Sequence, residues 1–110
     1  GVQTCALPIS YVSDIVQANL IAANTEDESI FGQVFNVSME RSSSINELVE
    51  TISSTIQKTP KIKFENERLD EIKHMIADIK KINTYLKFKP TVSIKTGIAK
   101  TVEYHEKNKL

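Results

Sequence analysis

The sequence predicts an α/β fold of two or three short strands set among about four helices, and three observations carry that prediction. Ser44, Ile45, Asn46 and Glu47 form a capping box, and Ile45, Leu48, Val49, Ile52 and Ile56 then fall at offsets of 0, 3, 4, 7 and 11 on one helical face. Gln33 to Val37 gathers Val34, Phe35 and Val37 into a compact β-branched and aromatic run that suits a core strand. Lys61-Ile62-Lys63-Phe64 alternates polar and apolar residues, as a half-buried strand near an edge does.

The remaining elements follow from local signals. Gly1 to Ser10 shows no periodicity, and Pro8 pushes Leu7 towards extended geometry, which predicts a loop. Tyr11-Val12 reads as the end of a short strand. Ser13 or Asp14 then caps a helix to about Ala23, whose Ile15, Val16, Ala18, Leu20 and Ile21 cover nearly every side, so it is expected to be largely buried. Residues 24–32 are polar and acidic and make a surface connection. The capping-box helix runs to about Lys58, where Thr59-Pro60 ends it. Asp78 is the expected N-cap of a short helix from Ile79 to about Lys87, and Pro90 stops it by disfavouring helical geometry at Lys89. Ser93 caps a last helix lined by Ile94, Ile98 and Val102. Gly97 allows close packing there, and the charged end from His105 to Lys109 is expected to fray.

Composition excludes several function classes. The 110 residues carry 14 Lys+Arg and 14 Asp+Glu, so no net field draws nucleic acid or an anionic membrane surface. A single Cys5 forms no internal disulfide, and no Cys/His cluster has zinc spacing, which points to a reducing, cytoplasmic compartment without a structural metal. No apolar run reaches the ~20 residues of a membrane span. The only glycines, Gly1, Gly32 and Gly97, stand far apart, so the glycine-rich turn that brings a dinucleotide pyrophosphate to a helix start is not encoded.

The chemistry-bearing stretch is Glu67 to Asp78. Arg68 offers a rigid fork of donors suited to phosphate, and Glu71, three residues on, offers acceptors suited to sugar hydroxyls. Taken alone, the two read first as an idle pair on a solvated face, since a charge run is usually that. Asn36 interrupts its apolar run either as a strand-end residue bonding its own backbone or as a polar contact. Tyr85 and Lys89 have Tyr-x-x-x-Lys spacing, yet Pro90 follows at once and the helix should already have ended. His74 and His105 lack a nearby nucleophile and form no triad, and Cys5 has no neighbouring cation to activate it.

Read together, the segments resemble the C-terminal part of the extended short-chain dehydrogenase/reductases, the NAD-dependent epimerase/dehydratase family. Tyr11-Val12-Ser13-Asp14-Ile15-Val16-Gln17-Ala18 is similar to Tyr-Val-x-Asp-Val-Val-x-Ala, and Gly32 to Val37 to Gly-x-x-Phe/Tyr-Asn-Val, with the Ser44 to Leu48 helix start after it. Arg68 to His74 falls on Arg-Pro-Gly-Asp/Glu-x-x-His, Ala77 to Lys81 on Ala-Asp-x-x-Lys, and Leu86 to Pro90 on Leu-Gly-Tyr/Phe-x-Pro. Leu69-Asp70 replaces the Pro-Gly of that loop, Ser38-Met39-Glu40 replaces a Gly-Thr-Gly, and the usual Arg-Asp-Phe before Tyr11 has become Leu7-Pro8-Ile9. Gly1 to Ser10 matches nothing in the family and looks like translated sequencing-adaptor read-through, which would make it foreign to the natural chain.

The resemblance implies an α/β fragment without the Rossmann nucleotide-binding half or the catalytic Tyr-x-x-x-Lys. Residues 11–107 would be a nucleotide-sugar-binding lobe and 108–110 a frayed tail. It further implies that Arg68 contacts the diphosphate, Glu71 the ribose hydroxyls, and Asn36 the same pocket. The complete enzyme would be a homodimeric, NAD-dependent UDP-hexose or UDP-N-acetylhexosamine 4-epimerase, and this chain alone would bind no NAD and turn nothing over. A nucleotide-sugar dehydratase or decarboxylase fragment, or a freestanding helical interaction module, stays open at this point. The helix from Asp14 to Ala23 separates them, since a complete module covers it on all sides.

Overall fold

Asp14 sets the architecture. The computed structural model describes residues 6–66, 68–70 and 72–109, and its first helix, α1 (Val12–Ala23), enters from an extended Tyr11 with no side-chain cap. Neither Ser13 nor Asp14 caps it, and Tyr11-Val12 is not a strand. The Asp14 carboxylate, 2% exposed, turns inward instead. Its Oδ1 accepts from the Thr91 N–H at 3.1 Å and the Thr91 hydroxyl at 3.0 Å, and its Oδ2 accepts from the Val92 N–H at 3.1 Å. A buried carboxylate is tolerable only when its lone pairs are taken in this way.

The clamp delivers the chain to α4 (Ile94–Lys107), where the Ser93 hydroxyl accepts from the Thr96 N–H at 3.2 Å. Gly97 is buried against Tyr11, the residue that leads into α1, and a Cβ there would lie 3.2 Å from Tyr11 Cβ and Cδ2, so the expected close packing is present. The charged end does not unwind early. The helix holds through Lys107, whose ammonium pairs with Glu103 one turn back.

The ladder is small and lies elsewhere than expected. β1 (Ala6–Leu7) pairs antiparallel with β2 (Ser43–Ser44) in the register Ala6 to Ser44 and Leu7 to Ser43. The first ten residues thus hold a strand where a loop was expected, while 33–37 and 61–64 hold none. Their apolar patterns suit a sheet, but a strand exists only through a neighbouring ladder, and among the described residues neither run has one.

From β2 the chain passes into α2 (Ile45–Ile56). The Ser44 hydroxyl accepts from the Glu47 N–H at 3.0 Å, which is the expected cap. The return half of the capping box is diverted, because the Glu47 carboxylate meets the Arg41 guanidinium at 2.9 Å. Gln57 closes the helix in left-handed geometry (φ 54) while the Lys58 N–H donates to the Ser53 carbonyl. The apolar face of α2 packs on α4.

α3 (Lys80–Leu86) begins one residue later than expected, with Ile79 as N-cap, although the Asp78 carboxylate still accepts from the Lys80 N–H at 2.9 Å. Lys87 at φ 53 turns the chain back, so that Phe88 enters the centre of the molecule and is 1% exposed. Ala18, Ile30, Ile79, Ile82, Leu86 and Phe88 form the core, with Ile21, Phe35 and Val37 packed on it. Only one face of α1 shares this core. Val12, Val16 and Leu20 are 64, 49 and 51% exposed, contrary to the expectation of a largely buried helix.

Candidate functional site

The segment carrying Asn36 is held at both ends. A 3₁₀ turn (Glu28–Ile30) is capped by Asp27, whose carboxylate accepts from the Ser29 hydroxyl at 2.6 Å and the Ser29 N–H at 3.0 Å; these bonds lower its pKa. Gly32 at φ 73 follows, and the Gln33 N–H donates to the Ile30 carbonyl. At the far end Ser38 is buried, and the Met39 N–H donates to the Ser10 hydroxyl at 3.2 Å. Between these anchors the side chains alternate. Phe35 and Val37 pack on the core, whereas Val34 is 81% exposed and Asn36 faces outward with it. The Lys81 ammonium donates to the Val34 carbonyl at 3.0 Å and lies 4.9 Å from the Phe35 ring centroid.

Arg68 lies in an exposed, irregular bend followed by a turn at 69–70, and residues 61–66 before it are exposed throughout. The bend is not folded into a helix. Among the described residues no hydrogen bond or ion pair engages the Arg68 guanidinium, which leaves its donors open to a ligand. None joins Arg68 to Asn36 either. Glu67 and Glu71 lie outside the described residues. Three open clefts of about 470, 570 and 530 Å³ lie between α1 and α3, between α2 and α4, and beside Arg41 and Lys89, and neither Asn36 nor Arg68 lines them.

The rejected candidates stay apart. Tyr85 is in α3, but the left-handed turn at Lys87 carries Lys89 off that helix. His74 is exposed, and His105 is exposed on α4, edge-on to Tyr104 at 5.7 Å. Among the described residues no group of three or more His, Cys, Asp or Glu side chains could hold a metal, and no helix is long and apolar enough to cross a membrane. Sequence reasoning missed the internal role of Asp14. The available signal was a carboxylate in the first turn of a helix otherwise apolar on nearly every side.

No protein-family model matches the chain. It is 31% identical over 98 residues to a Methanocaldococcus jannaschii protein named as a UDP-glucose 4-epimerase, covering 89% of this chain and 30% of that one. It is also 31% identical over 101 residues to a UDP-N-acetyl-alpha-D-glucosaminuronate decarboxylase of Bacillus cytotoxicus, covering 86% of this chain and 30% of the relative. The crystal structure of the UDP-glucuronic acid 4-epimerase of Bacillus cereus, in complex with UDP-glucuronic acid and NAD, superposes with a TM-score of 0.87 at 26% identity. That match covers 98% of this chain and 34% of the epimerase. The chain is a portion of the NAD-dependent epimerase/dehydratase fold.

This portion of the extended short-chain dehydrogenase/reductase architecture spans about a third of the length of those relatives. Its helices and turns account for the motif matches. The Asp of Tyr-Val-x-Asp is the Asp14 clamp, and Lys87 stands at the glycine of Leu-Gly-Tyr/Phe-x-Pro, where the backbone has positive φ.

Proposed function

We propose that residues 11–107 form the nucleotide-sugar-holding lobe of an NAD-dependent UDP-sugar 4-epimerase and make no bonds on their own. Arg68 grips the diphosphate through paired N–H donors, Glu71 accepts from the ribose hydroxyls, and Asn36 presents its amide to the same ligand. The observation that carries this reading is the superposition of 98% of the chain on an epimerase holding UDP-glucuronic acid and NAD. The solvent-open Arg68 and the outward-facing Asn36 support it. When bound in the complete enzyme, NAD supplies hydride acceptance and return at the sugar; the residues that hold it belong to the part of the fold this sequence lacks. The complete enzyme is proposed to be a cytoplasmic homodimer. A decarboxylase at the same 31% identity favours a second reading, in which the same grip serves a different reaction at the sugar.

Isothermal titration of the chain with UDP and with uridine tests the grip. A single bidentate charged contact is worth about tenfold or more in affinity, so UDP is expected to bind at least about tenfold more tightly than uridine, and Arg68→Ala to abolish the difference. No heat from UDP at millimolar concentration overturns the proposal, as does an Arg68→Ala variant that still prefers the diphosphate.

A further inference from the structure

We propose that Lys81 is a positioning residue that holds Asn36 towards the nucleotide-sugar; the inference rests on the proposed role of Asn36. Phe35 and Val37 anchor their segment to the core through side chains, but apolar packing fixes depth better than it fixes rotation about the chain. Orientation needs a directional bond to the backbone. Among the described residues Lys81 supplies one from α3, through the 3.0 Å bond from its ammonium to the Val34 carbonyl, two residues before Asn36. The same ammonium sits 4.9 Å from the Phe35 ring centroid, so one cation touches both residues that precede Asn36.

The donor is itself well placed. Ile79 and Ile82 flank Lys81 in sequence and are 4% and 2% exposed, which locks the first turn of α3 to the core and leaves the lysine pointing across to 34–35. Turning the segment about its own axis would break the bond to the Val34 carbonyl and carry Asn36 away from its outward face. Lys81 also matches the lysine of the Ala-Asp-x-x-Lys motif, a position the resemblance leaves without a task.

Two-dimensional amide NMR of the intact chain, alone and titrated with UDP, reads the segment and the ligand separately. Lys81→Met keeps the aliphatic stem and removes the ammonium. It is expected to move the amide resonances of 34–37 and the Asn36 side-chain amide towards random-coil values, leave those of α2 and α4 in place, and weaken UDP binding about two- to fivefold, the scale of an exposed cation–ring contact. Lys81→Arg restores a donor and a cation and is expected to recover both. Asn36→Ala should weaken UDP to a similar degree, with no further loss when combined with Lys81→Met.

Unchanged 34–37 resonances in Lys81→Met overturn the clamp. A loosened segment with unchanged UDP affinity overturns its service to the ligand. If the unaltered chain shows no UDP-induced shifts at all, the nucleotide-sugar reading fails and the role of Lys81 at that site fails with it; the spectra without UDP distinguish this from a failed clamp.

Discussion

Asp14 ties two distant parts of the fold together, because its two oxygens satisfy three donors from a segment with no secondary structure of its own. Asp14→Ala removes the acceptors and leaves the Thr91 and Val92 amides without partners. Urea unfolding should show a loss of about 2–4 kcal/mol, with Asp14→Asn, which keeps one acceptor oxygen, losing less. In sequence this residue reads as a helix cap. Its place in the first turn of an apolar helix is the one local sign of burial, and nothing local names the loop 77 residues away that it reaches. Gly97 was legible because an isolated glycine inside an apolar helical pattern has few uses besides close approach. Phe88 was not, since its burial depends on the left-handed turn at Lys87, a position where a lysine gives no sign of positive φ.

At the scale of elements, that turn gives a direct test. A non-glycine residue in left-handed geometry costs about 1–2 kcal/mol, partly offset by the greater chain entropy a glycine would lose. Lys87→Gly is therefore expected to raise stability by roughly 0.5–1 kcal/mol, read as a higher thermal midpoint without change in the far-ultraviolet circular dichroism. The helices were legible because caps and 3.6-residue spacing are local, and α2 agrees with its Ser44 signal to within two residues of the expected end. The strands were not. The alternation of Phe35 and Val37 against Val34 and Asn36 is real in burial, but a strand needs a second segment that residues 33–37 cannot specify. The candidate site divides in the same way. The donor chemistry of Arg68 and its place in an open bend were legible, whereas the hold of Lys81 on Val34 crosses 47 residues.

As a whole, the molecule is extended for its length. Its radius of gyration is 17.0 Å, with extents of 51 × 39 × 21 Å, where a compact domain of 110 residues has about 13 Å. The open row of Val12, Val16 and Leu20 on α1 is part of the same picture, and it favours a portion of a larger fold over a freestanding helical module. Val16→Lys with Leu20→Lys should reduce self-association of the chain, measured by light scattering, while the thermal midpoint moves little, because neither side chain belongs to the core. A large fall in the midpoint would show instead that this face is already used within the chain. The tie between Asp14 and Thr91 also has a temporal meaning. On the ribosome α1 emerges well before the amides that receive the Asp14 carboxylate, so the clamp cannot close until synthesis passes residue 92. A nascent chain stalled ahead of that point should carry a loosely held α1, and one released after it a docked α1.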